Sequence, residues 1–171
     1  HIITMPYGPG VQTGVGPGSV AVPGGLAAID MLHRQWGALS WAEVLSPAIN
    51  LAREGFPYPS VSAAYLPLSG KPIYDLTEGS KAIWRRGDGT PRAAGDTTQL
   101  PDLATNLERI AVEGADLFYA GSLGEKIGNW IVEHGGACGP EDFAAYRADQ
   151  REPVHCDDHG WTISTSDTIG G

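Results

Sequence analysis

Apolar positions switch period along this chain, and the switches mark its elements. Val20-Ala21-Val22 forms a short extended run that stops at Pro23-Gly24-Gly25. Leu26, Ile29, Leu32 and Trp36 then recur at helical spacing, which predicts a helix from about Gly25 to Trp36 closed by Gly37. Ser40-x-x-Glu43 has the form of a capping box, in which serine and glutamate each satisfy one free amide of a first turn. It introduces a helix with Val44, Leu45, Ala48, Ile49 and Ala52 on its buried side. Pro47 lies within it, predicting either a kink or a restart with Ser46 as cap. Gly55 and Pro57 end it.

Residues 56–100 are the least regular, with a short helix over Val61–Leu66 and a turn-rich loop over Gly87–Asp96. Leu103, Leu107 and Ile110 mark a further helix from Pro101 to near Gly114. The turn that follows carries Phe118 and Tyr119 inward. Ser122-x-x-Glu125 is a second capping-box pattern, opening a helix whose apolar face is Leu123, Ile127, Trp130 and Ile131. Pro140-Glu141-Asp142 begins one more short helix, bearing Phe143 and Tyr146. Two extended runs around Asp157-Asp158-His159-Gly160 then predict a β-hairpin. The expected architecture is α+β: one partial domain over 1–171, with a Gly-rich irregular lead-in over 1–19 that holds a short strand near its start, and a short strand at Val20–Val22. A mainly helical part spans 20–150, and the hairpin occupies 151–171.

Composition narrows the partners. The net charge of −9, from 20 acidic and 11 basic residues, leaves no basic stripe for nucleic acid or for an anionic membrane surface. No apolar run reaches the ~20 residues of a membrane-spanning helix. At 171 residues, 42% of them apolar, the chain is long enough for a core of ordinary size.

Candidate chemistry falls away on inspection. Gly14-x-Gly16-x-Gly18 resembles a dinucleotide loop only superficially, because an extended run and Pro23 intervene before the helix that such a loop must open. Pro23-Gly24-Gly25 stands at a helix N-terminus but no Lys or Ser/Thr follows as in a P-loop, so it reads as a packing corner. His155, Cys156, His159 and Cys138 offer zinc-type donors without paired spacing, and His155 and Cys156 point to opposite faces of a strand. Cys138 and Cys156 read as separate thiols, with a disulfide as the alternative in an oxidising compartment. His33 reads as a core-edge residue and His134 as a helix C-terminal one. Among Thr165, Ser166 and Thr168 no hydroxyl has a base that spacing alone can name. Glu141-Asp142 and Asp157-Asp158 suit a helix start and a turn better than acid–base work. No catalytic, cofactor-binding or metal-binding residue is assigned, and no cofactor is expected.

The order of segments nonetheless resembles a known family. "VAVPGGLAAIDMLHRQWGALSWAEVLSPAINLAREGFP", "QLPDLATNLERIAVEGADLFYAGSLGEKI", "GGACGPEDFAAYRADQREPV" and the closing "GG" are similar, in register, to the central part of the large subunit of γ-glutamyltranspeptidases. These are N-terminal nucleophile hydrolases. The resemblance implies an αββα sandwich, of which this chain supplies a mostly helical segment. It also implies a precursor that cuts itself, and a new N-terminal threonine that is both nucleophile and, through its α-amino group, base. That threonine would attack a γ-glutamyl amide and pass the acyl group to water or an amino acid. The family's nucleophile and substrate-gripping residues match no position here, so the chain alone is expected to be inactive. Its implied partners are the remaining large-subunit segments, the small catalytic subunit and a small-molecule amide. One departure stands out: a family pattern "P-P-P-S-S-G-G" meets "TSDTIGG" at Thr165–Gly171, with Gly170 and Gly171 matching and Thr168 matching loosely. Superfamily branches acting on other amides, cephalosporin-acylase-like or oxamate-amidohydrolase-like, are the alternative, as is a non-catalytic binding module.

Overall fold

Helix pairs do most of the packing. The computed structural model describes residues 3–8 and 11–167. Helix α1 (Gly25–Trp36) ends at Gly37, and α2 (Trp41–Glu54) starts from Ser40 with both halves of the capping box formed. Ser40 Oγ accepts from the Glu43 amide at 3.3 Å, and the Ser40 amide donates to the Glu43 carboxylate at 2.8 Å. Helix α2 runs through Pro47 as one element and does not restart at Ser46. Ile49 and Ala52 are its buried residues, whereas Val44 is exposed.

Helix α2 packs on the helix spanning Pro101–Glu113. Trp41 Nε1 donates to the Ile110 carbonyl at 3.0 Å, the Leu100 amide donates to the Ala52 carbonyl at 2.8 Å, and Arg53 pairs with Glu108. Between the two lies the region expected to be irregular. It contains α3 (Ser60–Tyr65), a π-helical turn at Leu66–Gly70, α4 (Lys71–Tyr74) and α5 (Glu78–Trp84). Phe56–Pro57 pairs antiparallel with Thr97–Thr98 and closes this lobe. Arg92 caps α5 by donating to the carbonyls of Ala82 and Ile83, and it also reaches the Thr97 carbonyl.

The Pro101–Glu113 helix is α6; α7 (Asp116–Tyr119), α8 (Ser122–Glu133) and α9 (Pro140–Ala145) follow. They enclose a small core of Ile131, Cys138 and Phe143, against which Val22, Phe118 and Ile127 pack. The buried face of α8 is Gly124, Gly128 and Ile131, while the expected Trp130 is largely exposed. The glycines let backbones meet: a Cβ on Gly128 would lie 2.5 Å from the Pro140 nitrogen. Helix α8 also starts differently from expectation. Gly121 is its N-cap, Ser122 is already helical, and the second capping box does not form. Arg109 Nη2 instead donates to Ser122 Oγ at 2.9 Å.

Two further expectations are corrected. The lead-in holds more than the one short strand expected near its start: β1 (Ile3–Gly8) pairs antiparallel with β2 (Val11–Val15), with a register shift between Pro6 and Gly8. A 3₁₀ turn follows at Pro17–Ser19. Val20–Val22 is not a strand, because nothing among the described residues pairs with it; alternation there reports an extended chain whose Val22 packs on the core. With Phe56–Pro57 as β3 and Thr97–Thr98 as β4, the chain ends in the expected hairpin, β5 (Val154–Asp158) and β6 (Trp161–Thr165). His159 and Gly160, at φ 48° and 83°, form its two-residue turn, the left-handed pair that suits strand twist.

Candidate functional site

The Pro-Gly-Gly corner is filled by protein. Tyr119, from α7, donates its hydroxyl hydrogen to the Pro23 carbonyl at 2.7 Å and accepts from the Ala27 amide at 2.9 Å. Ala27 is in the first turn of α1, so the phenol oxygen occupies the place where an anion would sit. Tyr146 stacks on Tyr119 with ring centroids 5.6 Å apart, and its hydroxyl crowds Gly24, where a Cβ would lie 2.1 Å away. Burial raises the Tyr119 phenol above its ordinary value, against a smaller lowering from the Ala27 amide. Sequence reading placed Tyr119 inward but did not join it to the corner, because no local spacing signals a contact across that distance.

The remaining candidates are dispersed. Cys138 is buried and Cys156 exposed, and both are free thiols. Burial pushes the Cys138 thiol upward, with Asp142 and Glu141 adding to the rise. His33 Nε2 lies 2.8 Å from the Leu39 carbonyl, and the ring leans on Trp41. His134 is the C-cap of α8, 2.7 Å from the Trp130 carbonyl and stacked on that indole. Asp142 accepts from the Gly139 amide at 2.8 Å, so Glu141-Asp142 does open a helix. Asp158 pairs with His159 in the hairpin turn. Among the described residues no group of three or more His, Cys, Asp or Glu could hold a metal ion.

One contact was not anticipated. His155 Nδ1 lies 2.9 Å from Ser164 Oγ across β5 and β6, a pairing that strand register alone reveals. No carboxylate hydrogen bond orients this ring among the described residues, and both side chains are exposed, so the pair lacks what a nucleophile and its base require. Beside it, at the hairpin root, opens a cleft of about 690 Å³ lined by Tyr146, Arg147, Arg151, Ser164 and Asp167 among others. Its cations are already engaged. Arg151 pairs with Asp149 at 3.2 Å and Asp167 at 3.4 Å, and Arg147 donates to the carbonyls of Ala144 and Tyr146. Thr168, Gly170 and Gly171 lie outside the described residues.

What the chain presents most strongly is uncovered apolar surface. Helix α1 buries no residue: Ile29, Leu32 and Trp36 are 54%, 50% and 67% exposed. The hairpin is two-faced. His155, Asp157, Thr162 and Ser164 share one polar face, tied by the His155–Ser164 contact and a Thr162–Asp157 hydrogen bond of 2.8 Å. Val154, Cys156, Trp161 and Ile163 share the other with Thr165 and, at the turn end, Asp158; Trp161 is 76% exposed. Helix α1 and the hairpin thus each present an apolar face that the described residues leave uncovered.

Known proteins agree with this geometry. The gamma-glutamyltranspeptidase family model matches residues 8–170. The chain is 36% identical over 142 residues to the glutathione hydrolase proenzyme of Escherichia coli (strain K12), covering 82% of this chain and 24% of that protein. It is also 36% identical over 153 residues to the acylase ACY 1 proenzyme of Pseudomonas sp. (strain SE83), covering 89% of this chain and 27% of that one. The crystal structure of Helicobacter pylori gamma-glutamyltranspeptidase is similar with a TM-score of 0.83 at 27% identity, covering 90% of this chain and 44% of that chain. The chain thus spans about a quarter of the length of these curated relatives.

Proposed function

Because the chain belongs to the gamma-glutamyltranspeptidase family, we propose that it is the helical cover of an enzyme that cleaves or transfers the acyl group of γ-glutamyl amides. Its fold is the mostly helical α+β segment of an αββα N-terminal nucleophile hydrolase sandwich. The observation that carries the functional reading is the match over residues 8–170, joined to apolar faces on α1 and the hairpin that this chain leaves uncovered. The nucleophile comes from polypeptide beyond the family match, a threonine freed by self-cleavage of the precursor. The chain supplies no acid, base or metal to that step; it holds the sheet that carries them. Its partners are the rest of the large subunit and a small catalytic subunit.

The test uses the complete protein. It should mature into two pieces and release glutamate from glutathione, and residues 1–171 expressed alone should do neither. An uncleaved, inert complete protein sinks the reading. A specific observation supports a second substrate class: identity to the acylase ACY 1 proenzyme equals that to the glutathione hydrolase proenzyme. The Thr165–Asp167 stretch also lacks the family's prolines. Maturation with hydrolysis of a cephalosporin side-chain amide, and none of glutathione, would select it.

A further inference from the structure

The two edges of the terminal hairpin are unlike, and the difference says which one continues the sheet. Strand β5 reads Val-His-Cys-Asp-Asp and is entered through Pro153, which has no amide to offer a neighbour. Charged side chains and a proline are the features with which proteins close an outer strand against further pairing. Strand β6 reads Trp-Thr-Ile-Ser-Thr, with no charge, no proline and no glycine, and Trp, Ile and two Thr favour extended structure. Within the described residues each strand pairs only with the other, so both outer edges carry unpaired backbone groups. In an antiparallel pair, alternate residues of each strand turn their amides and carbonyls away from the partner.

Three quarters or so of the relatives' length lies outside this chain, enough polypeptide to supply the missing neighbour. Resting on the family reading above, we propose that the outer edge of β6 receives a strand from the remaining polypeptide of the complete protein, and that β5 is the terminal strand of that sheet. The strand that docks is uncharged along the paired stretch and carries apolar side chains on the side continuous with Val154, Cys156, Trp161 and Ile163. Its apolar residues then extend that face into one surface for the next layer.

Hydrogen–deuterium exchange of the complete protein, read by mass spectrometry on peptides spanning 154–158 and 161–165, tests this without any substitution. Nearly all amides of the β6 peptide should exchange at least ~100-fold slower than in unstructured chain, and roughly half of those in the β5 peptide should remain fast. Slow exchange throughout β5, with or without the same in β6, overturns the proposal, as does a β6 peptide that stays half fast. Glutathione turnover is measured on the same preparation. A protected β6 edge in a protein that cleaves no γ-glutamyl amide keeps the edge assignment and removes only the substrate.

Discussion

Tyr119 and Pro23 are 96 residues apart in the chain, yet the phenol donates to the proline carbonyl at 2.7 Å. The same oxygen accepts from the Ala27 amide at 2.9 Å, so one side chain satisfies both the Pro23 carbonyl, two residues before α1, and a free amide in its first turn. Stacked on Tyr146, it ties the start of α1 to the α7–α9 layer. Tyr119→Phe keeps the ring and the stack but removes both hydrogen bonds. It should destabilise the complete protein by about 1–2 kcal/mol in denaturant unfolding. No loss would mean that water replaces the phenol without cost.

Alkaline pH acts on the same residue. Burial raises the phenols of Tyr119 and Tyr58 above the ordinary value of 10.0. The folded chain therefore holds these protons more tightly than the unfolded chain does. Stability is fully present below ~10 and falls as pH rises through the folded-state values, because the unfolded state ionises first. Thermal midpoints recorded upward from pH 9 should show this decline, and Tyr119→Phe should make it shallower. An identical slope in the variant would remove Tyr119 as a contributor.

Glycine packing on α8 is a third point of leverage. Gly128→Ala places a methyl group 2.5 Å from the Pro140 nitrogen, where α8 and α9 backbones meet. The expected cost is roughly 1–3 kcal/mol, the range for overpacking a close-packed site. Gly25→Ala is the control, because a Cβ there meets nothing within 4 Å, and it should be neutral or slightly stabilising. A Gly128→Ala variant no less stable than Gly25→Ala would show that the α8–α9 contact yields and does not set the effect.

How far the sequence could be read depended on the range of the interaction. Helices α1, α2 and α6 were legible because their periodicity and end signals lie within one element. The terminal hairpin was legible from its turn. A first short strand was legible near the start, but its pairing with β2 was not, because Pro6, Gly8 and Gly14 read as breakers, whereas antiparallel pairing tolerates them at a register shift and an edge. On α8, Ile131 and Ile127 were legible as core-facing, but Gly124 and Gly128 were not, because glycines add nothing to an apolar stripe and matter only once α7 and α9 stand against them. The face of α1 was correctly read as apolar and that of the hairpin was not read at all; their cover belongs to other polypeptide, which no pattern within these residues can place.

The two capping-box patterns give the last prediction, because identical spacing leads to different structures. Ser40 accepts from the Glu43 amide, and Glu43 reaches back to the Ser40 amide, with its carboxyl held below the usual range chiefly by the Ser40 hydroxyl. At the second pattern Gly121 takes the cap position. It lies against α7, where a Cβ would come 2.8 Å from Leu117 Cα, and Arg109 claims the Ser122 hydroxyl. Ser40→Ala should therefore cost about 1 kcal/mol, the usual loss for a serine cap. It should also move the Glu43 titration upward in a carboxyl-resolved NMR experiment. Ser122→Ala removes only a hydrogen bond to an exposed arginine and should change stability by less than ~0.5 kcal/mol. A Ser122→Ala loss as large as that of Ser40→Ala would mean that the serine caps α8 in solution after all.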